Sequence, residues 1–234
     1  MTPDDLVGLY SQAPDPPPLR ELADVDWATV SHAYGSATDV PALLRAFVSD
    51  VPDHREFATE LLFQTVWHSG TVYDATASVV PFLYKLLAAE GVPDKARVAH
   101  LIGTVADGRS YLDCHARTPN MVATWRSILA KDGKTLEAEL ARELGHVAAV
   151  RRAVAAGLDA LYPYLHDPEP VTRRTVAVAL GMFPEHAARS LPELRAAMRD
   201  EPEEDARELL AEAIQRLVAA GGHAERNALG DDVA

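Results

Sequence analysis

The chain of 234 residues has a single cysteine, Cys114, so no internal disulfide can staple it and its stability has to come from packing. No apolar run approaches the ~18 residues needed to cross a membrane. The opening stretch "MTPDDLVGLY" is acidic and lacks the basic-then-apolar layout of a secretory signal. Together these absences lead to the expectation of a cytoplasmic protein. Lysine-rich tracts are also missing, and the formal net charge is −13. Affinity for nucleic acid comes mainly from neutralising phosphates, so general nucleic-acid binding is not expected. Aromatic residues make up only 6% of the chain, which leaves burial to Ala, Leu and Val and favours helices. Glycine-rich phosphate loops, His-Glu-x-x-His and Gly-x-Ser-x-Gly are all absent, so no catalytic residue and no cofactor is assigned.

What is present is regular punctuation. Four segments share an apolar-Pro-x-Leu start: "VPALL" at Val40, "VPFLY" at Val80, "YPYLH" at Tyr162 and "LPELR" at Leu191. "TPNMV" at Thr118 is a looser fifth copy. The prolines Pro41, Pro81, Pro119, Pro163 and Pro192 stand 40, 38, 44 and 29 positions apart, a recurrence typical of helical-repeat arrays. Proline suits the first turn of a helix, where its missing N–H costs nothing.

A second amphipathic segment follows each proline segment: Arg55–His68, Asp94–Ala106, Leu136–Ala156, Val171–Met182 and Glu203–Ala220. Val98, Leu101, Ile102 and Val105 repeat at helical spacing in one, and Leu136, Leu140, Leu144 and Val147 form a stripe in another. No strand array is expected. The organisation is therefore an extended segment over residues 1–19, one repeat domain over 20–220 opened by one or two capping helices, an irregular loop at 107–120, and a flexible tail at 221–234.

One stretch, "LHDPEPVTRRTVAVALG" from Leu165 to Gly181, carries the most specific resemblance. Its Asp-Pro, then Val and Arg, then Ala-rich helix ending Ala-Leu-Gly, is similar to bacterial HEAT repeats, including those called PBS-lyase-like. Thr172 intrudes between Val171 and Arg173, a small departure from the family's form. "SHAYGSATDVPALL" also resembles a recurring group of bacterial HEAT-repeat proteins; these often have His-Gln-Gly where this chain has His68-Ser69-Gly70. The resemblance covers about residues 20 to 220. It implies an all-α fold, an α-solenoid of about five HEAT-like helix pairs, which usually works by binding other macromolecules.

The chemistry-bearing clusters have ordinary structural readings. Gly70 suits the end of a helix reaching Trp67-His68, and Asp74 suits an N-cap for the helix that follows. On this reading His68-Ser69-Gly70 and Tyr73-Asp74 form a hinge. "DCHAR" sets Asp113, Cys114 and His115 side by side but lacks the paired spacing of a zinc site, so no metal is assigned. More informative is the helical phase of Phe63 and Trp67, which places an aromatic pair opposite the apolar stripe of Phe57, Ala58, Leu61, Leu62 and Val66. Arg97 and His100 point away from the stripe of the next second helix. Arg151-Arg152 and Arg173-Arg174 add positive spots. The expected function is thus a non-enzymatic interaction module that binds a protein partner through Phe63, Trp67, Arg97, His100, Arg151, Arg152 and Arg174. The alternative, which the net charge disfavours, is a HEAT-like DNA glycosylase or other nucleobase-binding solenoid enzyme; the chain has Trp67, Trp125 and Asp113, but no motif aligns them with such a site.

Overall fold

The computed structural model describes residues 1–230, with side chains described through Gly221. Its architecture is all-α, of the α-solenoid class; the first four second-helix expectations hold to within a few residues, whereas the fifth helix continues past Ala220 to Gly230. The helices are α1 (Pro3–Tyr10), α2 (Val40–Phe47), α3 (Pro52–Thr65), α4 (Asp74–Ala88), α5 (Lys95–Ala106), α6 (Tyr111–His115), α7 (Pro119–Ala130), α8 (Leu136–Ala155), α9 (Pro170–Leu180), α10 (Ala187–Asp200) and α11 (Glu204–Gly230). A 3₁₀ helix over Leu158–His166 stands where the first helix of the fourth pair is expected. The contacts gather into two compact units. One is formed by residues 1–93 with 108–154, the other by 94–107 with the chain from 155 onward.

Several expectations require correction. Residues 3–10 are helical rather than extended. Thr2 Oγ1 accepts from Asp5 N at 3.2 Å and Asp5 Oδ2 accepts from Thr2 N at 2.8 Å, a reciprocal cap that lets Leu6 bury completely. In place of capping helices, the chain makes two short 3₁₀ turns, Pro17–Leu19 and Leu22–Asp24, and then a β-hairpin. That hairpin pairs β1 (Ser31–His32) with β2 (Gly35–Ser36); a second pairs β3 (Trp67–His68) with β4 (Thr71–Val72). Pro41 and Pro119 do sit in first turns, whereas Pro81 and Pro192 lie inside α4 and α10. Both interior prolines are solvent-exposed, so the carbonyl each leaves without a partner can be hydrated. The expected tail at 221–234 begins inside α11, and residues 231–234 lie outside the described residues.

In the second unit α9 packs against α5, the 3₁₀ helix and α11. Glycines set the approach. A Cβ at Gly103 would stand 2.8 Å from Thr175 Cγ2, and one at Gly181 would stand 2.8 Å from Ala213 Cα. This gives the Ala-Leu-Gly ending a physical reason: α11 occupies the space a side chain would need. Asp-Pro and Arg in the same motif serve a buried ion pair. Arg173 holds Glu201 in two parallel bonds of 2.7 and 2.6 Å and donates to the carbonyls of Asp167 and Pro168. Both residues are buried. Arg173 is therefore a fastener, and the expectation that it adds a positive surface spot is corrected.

Candidate functional site

The hinge after α3 is a hairpin. The helix ends at Thr65, and Ser69 (φ 51°) and Gly70 (φ 89°) form the two-residue turn between β3 and β4. Positive φ at both turn positions is what a tight hairpin with the right strand twist demands, and glycine meets that demand at no steric cost. Trp67 thus belongs to a strand, so its helical pairing with Phe63 does not exist. Tyr73, rather than Asp74, occupies the N-cap position of α4, with Thr76 Oγ1 accepting from its N–H at 2.9 Å. Thr76 in turn donates to the Val66 carbonyl, tying hairpin to helix.

Hydrogen bonds join three successive connectors into one face of the first unit. Asp74 Oδ1 accepts from Ser31 N at 2.7 Å, from the Ser31 hydroxyl at 3.0 Å and from Ala75 N at 3.0 Å. Ala33 N donates to the Thr65 carbonyl. Arg109 N donates to Gly70 O at 2.8 Å, and Val72 N donates to Arg109 O at 3.2 Å. Glu143 Oε2, on α8, accepts from the Ser110 hydroxyl at 2.7 Å and from Leu112 N at 2.9 Å. The short helix α6 is anchored to α8 in this way.

Aromatic rings crowd this face. Tyr34, 66% exposed, sets its ring edge-on to His68 at 5.5 Å, and its hydroxyl lies 3.4 Å from His68 Nδ1. That nitrogen also lies 3.1 Å from the Gln64 carbonyl, so it carries the proton and donates. His32 Nδ1 accepts from Tyr34 N, which leaves Nε2–H to donate to Asp39 Oδ1 at 2.9 Å. Tyr111 stacks on His115 at 4.0 Å and meets Trp125 of α7 edge-on at 5.5 Å. The indole N–H groups of Trp67 and Trp125 are enclosed yet have no hydrogen-bond partner among the described residues. Trp27, in the core, differs: its Nε1 donates to Leu22 O at 2.8 Å.

Burial raises the Tyr73 phenol above its ordinary pKa, reinforced by the Glu143 carboxylate and by Tyr34 and Tyr111. Burial holds His146, on α8, below the ordinary imidazole range; Asp74, Glu143 and Glu139 oppose that shift and Arg142 assists it. Arg142 is itself paired with Glu139 at 2.8 Å. Among the described residues, no group of three or more His, Cys, Asp and Glu side chains is placed to hold a metal ion.

The residues expected to bind a partner are divided between the two units. Phe63, Trp67, Arg151 and Arg152 belong to the first, and Arg97, His100 and Arg174 to the second. Phe63 and Trp67 are both half-buried, and Arg152 is exposed. Arg97 lies on a groove of about 450 Å³ with Asp94 and Glu169. His100 Nδ1 lies 2.9 Å from the Thr175 hydroxyl, and burial lowers its pKa. Arg174 pairs with Asp205 at 3.7 Å. Tyr34, Tyr111, Glu143 and His146 were not anticipated. The signal available for the hairpins was the Ser-Gly dipeptide and the shared His-x-Gly and His-x-x-Gly spacing, both turn marks.

The stripe on α8 also departs from expectation. Leu136 is buried, but Leu144 is 46% exposed, and α7 has no buried residue at all. The charged pair Arg126–Glu137, at 2.6 Å, links α7 to α8 on the surface.

Residues 122–215 match the profile of HEAT repeats. The matched segment begins inside α7 and ends inside α11, so it includes Trp125, Glu143 and His146 but leaves both hairpins outside. No curated protein matches the chain. Among solved structures, the crystal structure of an engineered protein aligns over 93% of this chain and 89% of its own at 17% identity, with a TM-score of 0.37.

Proposed function

We propose that the protein is a non-enzymatic interaction module and that the connector face of the first unit receives a protein partner. The observation that carries this reading is the placement of the aromatics. In a chain with only three tryptophans and seven tyrosines, Trp125, Tyr34, Tyr73 and Tyr111 gather on one hydrogen-bonded face instead of in the core. Tyr and Trp are the residues that most often anchor protein interfaces, since each combines a large apolar area with a polar tip. Phe63 remains in the proposal as a half-buried neighbour in sequence. Met121, Ile128 and Leu144, all exposed on α7 and α8, supply apolar surface in the same unit. The similarity of 122–215 to HEAT repeats supports a binding role, because such repeats commonly serve as interaction scaffolds.

The nucleobase-binding alternative has less support. The chain carries a formal net charge of −13, which opposes a phosphate backbone. The test is affinity capture from native lysate with the wild type, a Tyr34→Ala/Tyr111→Ala variant and an Arg97→Ala control. A stoichiometric partner held by the wild type and the control, and lost by the double variant at unchanged thermal stability, is the expected result. Equal capture by all three baits would remove the connector face from the account.

A further inference from the structure

The connector face combines carboxylate acceptors with aromatic rings. Asp74 directs all three of its hydrogen bonds to Oδ1, and Glu143 directs both of its bonds to Oε2. Asp74 Oδ2 and Glu143 Oε1 therefore accept nothing within the described residues. Each carboxylate is fixed in place by the connectors and keeps one oxygen open. Tyr73 directly precedes Asp74, Tyr34 packs edge-on against His68, and Tyr111 is braced between His115 and Trp125. Arg142, the cation that His146 senses, is already engaged by Glu139. Fixed carboxylate oxygens beside the faces of electron-rich rings are the chemistry that takes up an ammonium or guanidinium group. The whole chain carries a formal charge of −13, which draws a basic segment toward it.

We infer that the connector face binds a basic segment of a partner protein, seating an arginine or lysine side chain among Tyr34, Tyr73 and Tyr111 against the open oxygens of Asp74 and Glu143. This rests on the reading of that face as the interaction surface and specifies the partner's anchor. The enclosed indole N–H of Trp125, whose ring meets Tyr111, gives a backbone carbonyl of the segment a donor to satisfy once the rings shift to admit it. Burying a donor without a partner is unfavourable in the free protein, so that shift is compensated when an acceptor arrives.

The probe is a capped five-residue peptide with arginine at its centre, alongside versions carrying lysine, citrulline or glutamate there, titrated into the full chain with its tyrosine rings isotopically labelled for NMR. The arginine and lysine peptides should shift the ring signals of Tyr34, Tyr73 and Tyr111, with the citrulline peptide about tenfold weaker because it keeps the shape and loses the charge. Tyr34→Ala and Glu143→Gln should each weaken the basic peptides about fivefold, while Glu208→Gln, on exposed α11 surface, should not. If Glu143→Gln does not fold, Tyr34→Ala carries the test alone, since an exposed ring cannot be needed for folding. Three results would overturn the inference: unshifted rings with every peptide, equal weakening by Glu208→Gln, or tighter binding of citrulline or glutamate on the same rings. The last would leave the face an interaction surface with a different anchor. Failure of the lysate comparison, by contrast, would remove the surface itself.

Discussion

The two units use the same helical repertoire toward different ends. In the second, α9 is pressed against its neighbours through Gly103 and Gly181 and locked by Arg173 on Glu201, and its polar groups are occupied. In the first, the connectors between helices are as well hydrogen-bonded, but what they hold up is a set of rings and half-used carboxylates. Tight packing with every donor matched produces stability; a rigid frame presenting unmatched groups produces a binding site. The difference lies in where the polar atoms point, and helix content does not distinguish the two.

The largest effect should come from breaking the buried pair. Arg173→Ala leaves Glu201 enclosed without its partner and should cost about 3–5 kcal/mol in urea denaturation. An unchanged midpoint would show that the second unit is held by apolar packing alone. Gly181→Ala comes next: its Cβ would meet Ala213 backbone at 2.8 Å, and overpacking of this kind costs about 1–3 kcal/mol. Acid gives a third contrast. The Arg173 hydrogen bonds lower the Glu201 pKa in the folded state, so the folded form binds a proton less readily than the unfolded form. The stabilisation is complete above the ordinary carboxylate range and is lost as pH falls through the lowered folded value. Denaturation midpoints followed from neutral pH into that acidic range should drop for the wild type and change less for Glu201→Gln. In the first unit, Gly70→Ala forces a side chain onto φ 89° and should cost about 1–2 kcal/mol, with hydrogen exchange rising around 67–72 and not in α9. The smallest effect is Tyr34→Ala, expected within about 0.5 kcal/mol of wild-type stability because the ring is exposed, yet the most damaging of the set to partner capture.

Much of the second unit could be read in the sequence. The spacing of Val98, Leu101, Ile102 and Val105 marked a face that is fully buried, and the Asp-Pro, Arg and Ala-Leu-Gly of 165–181 turn out to be carbonyl acceptors for Arg173, an ion pair and a close approach. Periodicity reports burial well when one helix stacks on others over its length. It failed on α8, where Leu144 continues a helical stripe but faces solvent, because α7 gives it no buried contact in return. It also failed at Trp67. Helical phase was projected past Thr65, where the Ser69-Gly70 turn ends the helix and starts a strand pair. The candidate site was the least legible part, because it joins residues 31–36, 67–74, 109–115 and 142–146 through long-range bonds to the Asp74 and Glu143 carboxylates and to the Arg109 backbone, which leave no trace in local periodicity.

The most direct measurement is site-specific photo-crosslinking in cells, with a benzophenone side chain placed at Tyr34 in one variant and at Glu208 in another. Both positions are exposed, so neither disturbs packing. The account predicts a defined protein adduct from position 34, absent from position 208, whose crosslinked peptide contains arginine or lysine beside the attachment point. An adduct formed at 208 and not at 34 would contradict it, moving the binding surface from the connectors to the helices of the second unit.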